Sequence, residues 1–322
     1  MTRKSFALIA TVIMLGLGLG QARAQDKAPD KLTLALGQRG NWDTAIAQLG
    51  QDAGIFKKYG LTLDILWTQG AGESQQVLLA GSADLGLLGT QSAFAISAKG
   101  APVRIVAAEA TGAADYWYVR AESPIKSFKD TDEKTVAFST VGASTNTMAL
   151  AFVGEAGVKA QLVATGSPSA TLTQVMSGQI DVGWSAPPFG LPQIEKNQIR
   201  VIGYGKDLQS VRGQTIRVLA ATADKLSAKP AVFARFLQGY RETIDWMYSG
   251  DDAIKAYAEF AGIPFATAKE VRDQFFPKDI LQPDKVLGVD ALMADAVKFK
   301  FLNAPLSKEQ VADMIQIPAA SR

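Results

Sequence analysis

Residues 81–86 have the sequence Gly-Ser-Ala-Asp-Leu-Gly, and residues 178–183 have the sequence Gly-Gln-Ile-Asp-Val-Gly. In each copy a helical pattern ends at the first glycine and an apolar strand follows, as expected of a helix-ending glycine and a turn-forming aspartate. The copies begin 97 residues apart. They indicate two α/β lobes of related construction, and the alternative is chance or convergent loop chemistry.

Apolar strands and helical stretches alternate around these two turns. Strands are predicted at residues 32–36, 61–67, 85–88, 103–108, 135–138, 161–164, 181–184, 201–203 and 217–221. Helices are predicted at residues 44–58, 73–80, 91–99, 145–156, 169–177, 230–248, 251–261, 266–275, 283–299 and 307–315. This alternation predicts an α/β fold with mainly parallel sheets, which bind ligands at the carboxyl ends of their strands.

The order of these elements predicts two lobes with a hinge. Residues 118–217 fit the second lobe. The strand at 217–221 and the helical tail suggest that the chain returns to complete the first lobe, which then comprises residues 31–117 plus 218–322. Two crossings, near residues 116–120 and 214–218, would form the hinge.

The composition favours binding over catalysis. The 322 residues are 48% apolar and 20% charged, with no cysteine and no histidine. The chain therefore lacks the side chains of disulfides, Ser-His-Asp and Cys-His hydrolases, zinc fingers and most zinc enzymes. We predict no enzyme activity, no cofactor and no metal site.

The amino-terminal residues 1–24 have the pattern of a secretory signal peptide. A basic start at Arg3 and Lys4 precedes an uncharged apolar stretch at residues 6–20, and Ala22-Arg23-Ala24 fits a cleavage site. An uncleaved membrane anchor is the alternative. Loss of this leader lowers the 33 basic residues to 30, against 31 acidic ones, so no basic surface for nucleic acid is expected. The prediction is an exported protein of a Gram-negative periplasm.

Three parts of the sequence carry a resemblance to a known family: residues 53–61, Ala-Gly-Ile-Phe-Lys-Lys-Tyr-Gly-Leu, residues 93–100 and the two Gly-x-x-Asp turns. In these parts the sequence resembles the substrate-binding proteins of ABC importers for nitrate, sulfonates, taurine and thiamine precursors. The resemblance covers residues 31–318. It implies a type II periplasmic-binding fold with a ligand cleft, and a monomer that delivers a small-molecule ligand to an ABC permease in the inner membrane. The family's thiamine-precursor enzymes rely on histidine and its desulfinase relatives on cysteine. This chain has neither, which favours transport. An enzyme on the same fold and a sensory co-receptor are the alternatives.

The loop after the first strand supplies Arg39, Asn41 and Trp42. Arg39 is predicted to pair with a carboxylate or sulfonate, and Trp42 to stack on the body of the ligand. The alternatives are an exposed arginine and a tryptophan that packs under the following helix.

Polar residues also begin two helices that follow strands. Thr90 and Gln91 start one, and Thr140, Ser144 and Thr145 lie at the start of another. Free amides and hydroxyls at such positions suit an anion, although ordinary helix capping is the competing account.

Trp184 follows the second Gly-x-x-Asp turn and either covers the ligand or belongs to the core. Glu109, Thr111 and Arg217 contact the ligand or only the hinge. Together these residues predict a small ligand with an anionic or strongly polar head and an organic body.

Overall fold

The computed structural model describes residues 28–111, 114–209 and 211–319. The predicted signal peptide, residues 1–24, lies outside them. The strands in chain order are β1 (Asp30–Gly37), β2 (Leu61–Thr68), β3 (Leu85–Gly89), β4 (Val103–Thr111), β5 (Tyr116–Arg120), β6 (Thr135–Phe138), β7 (Gln161–Ala164), β8 (Gly183–Ser185), β9 (Ile199–Tyr204) and β10 (Thr215–Thr222). Ten strands in the described residues form two separate sheet systems, which we call lobe 1 and lobe 2 together with the helices packed on them.

Lobe 1 contains a five-stranded sheet in the order β2-β1-β3-β10-β4. β1 pairs in parallel with β2 and β3, whereas β10 is antiparallel to both β3 and β4. Arg217 of β10 lies opposite Gly89 of β3 and Ala110 of β4 in this register. The returning strand thus brings Arg217 to the edge where β3 and β4 end.

Lobe 2 repeats this arrangement with other parts of the chain. β6 and β7 pair in parallel, β5 is antiparallel to β8 and β9, and a parallel bridge from Val136 to Val182 joins the two groups. The resulting order is β7-β6-β8-β5-β9. In each lobe, therefore, the fourth strand comes from a chain crossing and runs antiparallel to its neighbours.

The helices are α1 (Ile46–Asp52), α2 (Ile55–Lys58), α3 (Ala71–Leu79), α4 (Thr90–Ala98), α5 (Ser144–Ala156), α6 (Pro168–Met176), α7 (Leu191–Glu195), α8 (Ala223–Ala228), α9 (Pro230–Met247), α10 (Asp251–Ala261), α11 (Phe265–Glu270), α12 (Val289–Lys298) and α13 (Lys308–Met314). Helix α9 packs on α1 and α2 in lobe 1, and α12 and α13 contact α4. None of the helices in the described ranges has both the length and the hydropathy that a bilayer span requires.

The two Gly-x-x-Asp turns make equivalent hydrogen bonds. Asp84 Oδ2 accepts from the backbone N–H of Thr33 in β1, at 2.9 Å. Asp181 Oδ2 accepts from the backbone N–H of Thr135 in β6, also at 2.9 Å. Gly81 and Gly178 both have a positive φ, 77° and 79°, which glycine adopts without strain. Each aspartate therefore ties its turn to the first strand of its own lobe.

Three predicted helices are shorter or divided in the structure. The helix predicted at residues 266–275 is α-helical only to Glu270 and continues as a π-helical turn over Val271–Phe275. The helix predicted at residues 44–58 is divided into α1 and α2 because Gly54 has a left-handed φ of 74°. The helix predicted at residues 283–299 begins only at Val289, after Gly288 with a φ of 68°. The apolar spacing does not show where a glycine takes this conformation.

Strand pairing places the chain crossings a few residues from the predicted positions. β4 ends at Thr111 in lobe 1 and β5 begins at Tyr116 in lobe 2, whereas β9 ends at Tyr204 and β10 begins at Thr215. We keep the lobe boundaries as a proposal, with residues 31–117 plus 218–322 in lobe 1 and residues 118–217 in lobe 2.

Candidate ligand-binding site

The two lobes contact each other where several of their strands end. The backbone N–H of Gly72, in the first turn of α3, donates to Thr140 Oγ1 of lobe 2 at 3.0 Å. The Thr147 hydroxyl of α5 donates to Gln91 Oε1 of lobe 1 at 2.6 Å. These bonds join the first turns of α3 and α4, which follow the carboxyl ends of β2 and β3, to the loop after β6 and to α5. The structure thus shows the lobes in contact across the predicted cleft.

Two glycines permit the close approach of the lobes. A Cβ atom on Gly72 would overlap the carbonyl oxygen of Val141 and lie 2.9 Å from Thr140 Oγ1. A Cβ atom on Gly89 would overlap the carbonyl oxygen of Gly142. In both cases the obstructing backbone belongs to the other lobe. Any larger residue at these positions would therefore obstruct contact between the lobes.

A cluster of buried charges lies at the edge of lobe 1 beside this contact. Arg217 Nε donates to Glu109 Oε2 at 2.9 Å, and its Nη2 donates to Asp43 Oδ2. Its Nη1 donates to Ser144 Oγ of lobe 2 at 3.4 Å and lies 3.7 Å from Asp115 Oδ2. The four charged side chains are between 1% and 9% exposed. We call Asp43, Glu109, Asp115 and Arg217 the charge cluster.

The charge cluster contains more negative than positive groups. Burial raises the pKa of Glu109 to about 7, although the positive charge of Arg217 opposes this increase. Burial likewise raises the pKa of Asp115 to about 6. Burial disfavours the charged form of Arg217, but the carboxylates of Asp43, Glu109 and Asp115 more than offset this and raise its pKa. Arg217 therefore stays protonated, whereas Glu109 is partly neutral near pH 7.

These pKa shifts predict that the free energy of unfolding falls as the pH rises through the neutral range. Because the folded protein holds protons on Glu109 and Asp115 more tightly than the unfolded chain, their contribution is complete below about pH 4 and is lost as the pH rises through 6 and 7. The chain has no histidine or cysteine to titrate in this range. We expect the free energy of unfolding, measured by urea denaturation, to fall by about 4 kcal/mol between pH 5 and 8.

The Glu109→Gln variant is the control for this pH profile. It removes the carboxyl group with the higher pKa, so the fall above pH 6 should nearly disappear, while the part due to Asp115 should persist. A wild-type profile that is flat or rises from pH 5 to 8 would contradict the assignment.

The sequence matches the family model described as NMT1/THI5 like over residues 41–254. This chain belongs to the NMT1/THI5-like family. The matched range begins at Asn41, in the loop before α1, and includes all four residues of the charge cluster. No sequence among the curated proteins matches the chain significantly.

Solved structures similar to this member of the NMT1/THI5-like family share its fold at low identity. The alkanesulfonate-binding protein SsuA of Xanthomonas axonopodis pv. citri, bound to MOPS, is 17% identical, with a TM-score of 0.72 over 90% of this chain and 99% of that one. The periplasmic aliphatic sulphonate-binding protein SsuA of Escherichia coli is 20% identical, with a TM-score of 0.69 over 91% and 94%. The periplasmic nitrate-binding protein NrtA of Synechocystis PCC 6803 is 14% identical, with a TM-score of 0.69 over 88% and 84%. The predicted periplasmic-binding-protein fold is confirmed.

Arg39 takes part in none of the hydrogen bonds between the lobes that are given above. Its side chain is exposed, and its guanidinium carbon lies 4.7 Å from the centroid of the Phe260 ring in α10. This position matches the alternative of an exposed arginine. Asn41 of the same loop is buried, and its Nδ2 donates to Gln38 Oε1 at 3.4 Å. The arginine that is buried in the charge cluster is Arg217. The ligand contact predicted for Arg39 is kept as a prediction.

Both predicted ligand-stacking tryptophans are fully buried. Trp42 packs edge-on against Tyr248 and Tyr257, with ring centroids 5.8 Å and 4.8 Å away, and its Nε1 donates to the Tyr248 hydroxyl at 2.9 Å. Trp184 Nε1 donates to Thr165 Oγ1 at 3.2 Å. Both residues belong to the buried hydrophobic core, which matches the core alternative for each of them.

The predicted hydroxyl and amide residues lie at or near the contact between the lobes. Gln91, Thr140 and Ser144 take part in the bonds between lobes described above. Thr90 does not cap α4 with its side chain, because its hydroxyl donates to the Thr215 carbonyl at 2.6 Å. Thr145 Oγ1, in the first turn of α5, accepts from the Ser139 N–H at 3.0 Å, a bond within lobe 2. The ligand contacts predicted for these residues are kept as predictions.

Two members of the charge cluster were missed by sequence reasoning. Asp43 directly follows Trp42 in the loop that was singled out, and Asp115 directly precedes β5 at the first crossing. The sequence feature that could have indicated them is an acidic residue in each of two loops, the loop after β1 and the crossing before β5. A single aspartate in a loop is common, so this signal is weak without the fold.

Proposed function

We propose that this protein is the solute-binding component of an ABC importer, which works in the periplasm of a Gram-negative bacterium. It captures a small organic solute between its lobes and delivers it as a monomer to a permease in the inner membrane. Family membership and the fold of sulfonate-binding and nitrate-binding proteins support this proposal. The predicted signal peptide supports the location.

The observation that carries the proposal is the contact between lobes through Gly72 and Gly89. The backbone of each glycine approaches a carbonyl of the other lobe so closely that a side chain would not fit. Two lobes joined by two chain crossings can separate by rotation about those crossings, and a ligand that contacts both lobes favours the closed form. The proposed mechanism is therefore closure of the lobes on the solute.

We propose binding without catalysis. The similar structures include the desulfurization enzyme DSZB, 15% identical with a TM-score of 0.60, which shows that the fold also occurs in an enzyme. The charge cluster of this chain offers carboxylates and one arginine, and Ser144 has no histidine to activate it.

The test begins with the purified mature protein. Denaturation should release a bound small molecule, which mass spectrometry identifies. When that molecule is added to protein freed of ligand, the radius of gyration measured by X-ray scattering should fall. The added solute should be recovered chemically unchanged. If none of the recovered molecules lowers the radius of gyration when it is added to the protein, closure is contradicted. Conversion of the solute to a product would contradict binding without catalysis.

A further inference from the structure

A cavity of about 240 Å³ lies between the lobes beside the end of α10. Lobe 2 forms most of its wall, with residues of β5, β8, α6, α7 and the loop that joins β8 to α7. Lobe 1 closes it with Ala261 and Ile263, at the end of α10, which packs on α1 and α9. We call this space the α10 cavity. Because its walls come from both lobes, separation of the lobes would open it.

The walls of the α10 cavity are uncharged and mostly apolar. Among the described residues that line it there is no lysine, arginine, aspartate or glutamate. The apolar residues of the lining include Pro168, Leu172, Pro188, Phe189, Ala261 and Ile263. An apolar protein cavity of about 150 Å³ is large enough for benzene, so the α10 cavity has room for a substituted ring. Transfer of a charged group from water into such surroundings is unfavourable.

The α10 cavity has one buried hydroxyl group without a partner. Tyr118 of β5 lines it and is 1% exposed, and its hydroxyl makes no hydrogen bond to any described residue. The hydroxyl of Tyr116, two residues earlier on the same face of β5, does donate to the Phe189 carbonyl. Burial raises the pKa of Tyr118, so its hydroxyl stays protonated at neutral pH and can donate. A ligand acceptor would remove the cost of this unmade bond.

Gly183 of β8 makes room for the Tyr118 ring. The two residues lie opposite each other in the pairing of β5 with β8. A Cβ atom on Gly183 would overlap the Tyr118 ring and lie 2.8 Å from its hydroxyl oxygen. The ring therefore lies across Gly183, and β8 supports the hydroxyl from that side.

Phe189 links the α10 cavity to the contact between the lobes. Its carbonyl accepts hydrogen bonds from two lobe 2 hydroxyls, those of Tyr116 and Ser185. A Cβ atom on Gly40, in the lobe 1 loop after β1, would lie 2.9 Å from Phe189 Cζ. The backbone of Phe189 is thus tied to lobe 2 while its ring contacts lobe 1. A ligand that packs between Phe189 and Ile263 would contact both lobes and favour the closed form.

We propose that the α10 cavity binds the uncharged body of the solute, a substituted aromatic ring with a neutral oxygen acceptor, such as a ketone or an amide, for the Tyr118 hydroxyl. This inference rests on the proposed function and names the class of its substrate. It assigns a place to the organic body that the sequence predicts. A planar ring packs well against phenylalanine, and the acceptor satisfies the one unpartnered hydroxyl of the wall.

The experiment compares acetophenone with benzoate, which have a similar size and a planar ring but differ in charge. Titration of the methyl-labelled protein, followed by NMR, gives both the affinities and the location. We expect acetophenone to bind at least about tenfold more tightly than benzoate, because the described walls contain no cation. Nuclear Overhauser effects should connect its protons to the methyl groups of Leu172 in lobe 2 and Ile263 in lobe 1.

The Tyr118→Phe variant tests the hydrogen bond. It should bind acetophenone about three- to tenfold more weakly, which is the effect of one neutral hydrogen bond. Its melting temperature should not fall, because the hydroxyl that it removes has no partner among the described residues. Tyr116→Phe is the comparison: it removes a hydroxyl that is bonded to the Phe189 carbonyl and should lower the melting temperature. A merely structural role of the Tyr118 hydroxyl would give a lower melting temperature and unchanged affinity.

The Ala261→Leu variant tests the cavity itself. The larger side chain would occupy part of the α10 cavity from lobe 1, so acetophenone should bind at least about tenfold more weakly. The matched control is Glu259→Leu, which places the same side chain at an exposed position of α10 and should match wild type.

Three results overturn the inference: benzoate that binds as tightly as acetophenone, no Overhauser effect at Leu172 and Ile263, or unchanged acetophenone affinity in either Tyr118→Phe or folded Ala261→Leu. No binding of acetophenone at millimolar concentration also overturns it, since the cavity then holds water alone. The proposed function is judged separately, by closure on the recovered solute. A recovered solute that closes the lobes equally well in wild type and in both variants would refute this inference alone.

Discussion

Replacement of Arg217 by methionine is expected to lower the free energy of unfolding by about 3–5 kcal/mol, a fall in melting temperature on the order of 10 °C. The change removes the single cation from Asp43, Glu109 and Asp115 and leaves three buried carboxylates without a partner charge. Methionine fills much of the same volume, so the loss reports charge more than packing. Thermal and urea denaturation at pH 7.5 measure it.

The loss in Arg217→Met should shrink at pH 5. There Glu109 and Asp115 take up protons, and fewer uncompensated charges stay buried. The matched control is Arg39→Met, which changes an exposed arginine that contacts only the face of Phe260 among the interactions described. This control should cost less than about 1 kcal/mol. Equal losses for the two arginines, or a loss for Arg217 that is independent of pH, would contradict our account of the cluster.

Arg39→Met also tests the earlier prediction that Arg39 pairs with the ligand. Because Arg39 is exposed and its guanidinium lies on the ring of Phe260, we expect the affinity for the recovered solute to change less than about threefold. A loss of binding in this variant would support the ligand contact that the sequence predicts for Arg39.

Gly72→Ala is expected to weaken solute binding at least a hundredfold, which corresponds to about 2.7 kcal/mol of lost closure energy. The new methyl group would overlap the Val141 carbonyl and crowd Thr140 Oγ1, both in lobe 2. Within lobe 1 the residue lies in the first turn of α3, where alanine is favourable. The clash therefore penalises the closed form and leaves the open form intact.

Calorimetry and X-ray scattering together separate this effect from unfolding. When solute is added to the Gly72→Ala variant, its radius of gyration should stay at the value of the ligand-free protein. Its melting temperature without solute should stay close to that of the wild type. Gly154→Ala is the matched control, since a Cβ atom there meets nothing within 4 Å on the exposed side of α5. It should bind normally and be slightly more stable. Normal closure in Gly72→Ala would disprove the mechanism.

Much of the architecture was predictable because its signals are local. The alternation of apolar strands and helices, and the repeated Gly-x-x-Asp turn, depend on neighbours a few residues apart. Each turn aspartate does bond to the first strand of its own lobe, at Thr33 and at Thr135. The break of the first helix at Gly54 was missed, because helical spacing continues across it and only the backbone conformation ends it.

The candidate site was less predictable. The sequence indicated the loops that meet between the lobes, including Gln91, Thr140 and Ser144. It indicated Arg39, in the loop after the first strand, as the cation that pairs with the ligand, and it gave Arg217 a contact with the ligand or only with the hinge. The role of Arg217 depends on the antiparallel return of β10 between β3 and β4, and strand order is not encoded in local periodicity.

The sequence by itself determined an α/β protein of two similar halves, free of histidine and cysteine chemistry, because composition and periodicity are properties of short stretches. Only the tertiary structure decided which charges meet. Asp43 and Arg217 are 174 residues apart in the chain, yet they share a buried hydrogen bond. Coulomb interactions act through space, so the balance of charge in the cleft exists only after the chain has folded.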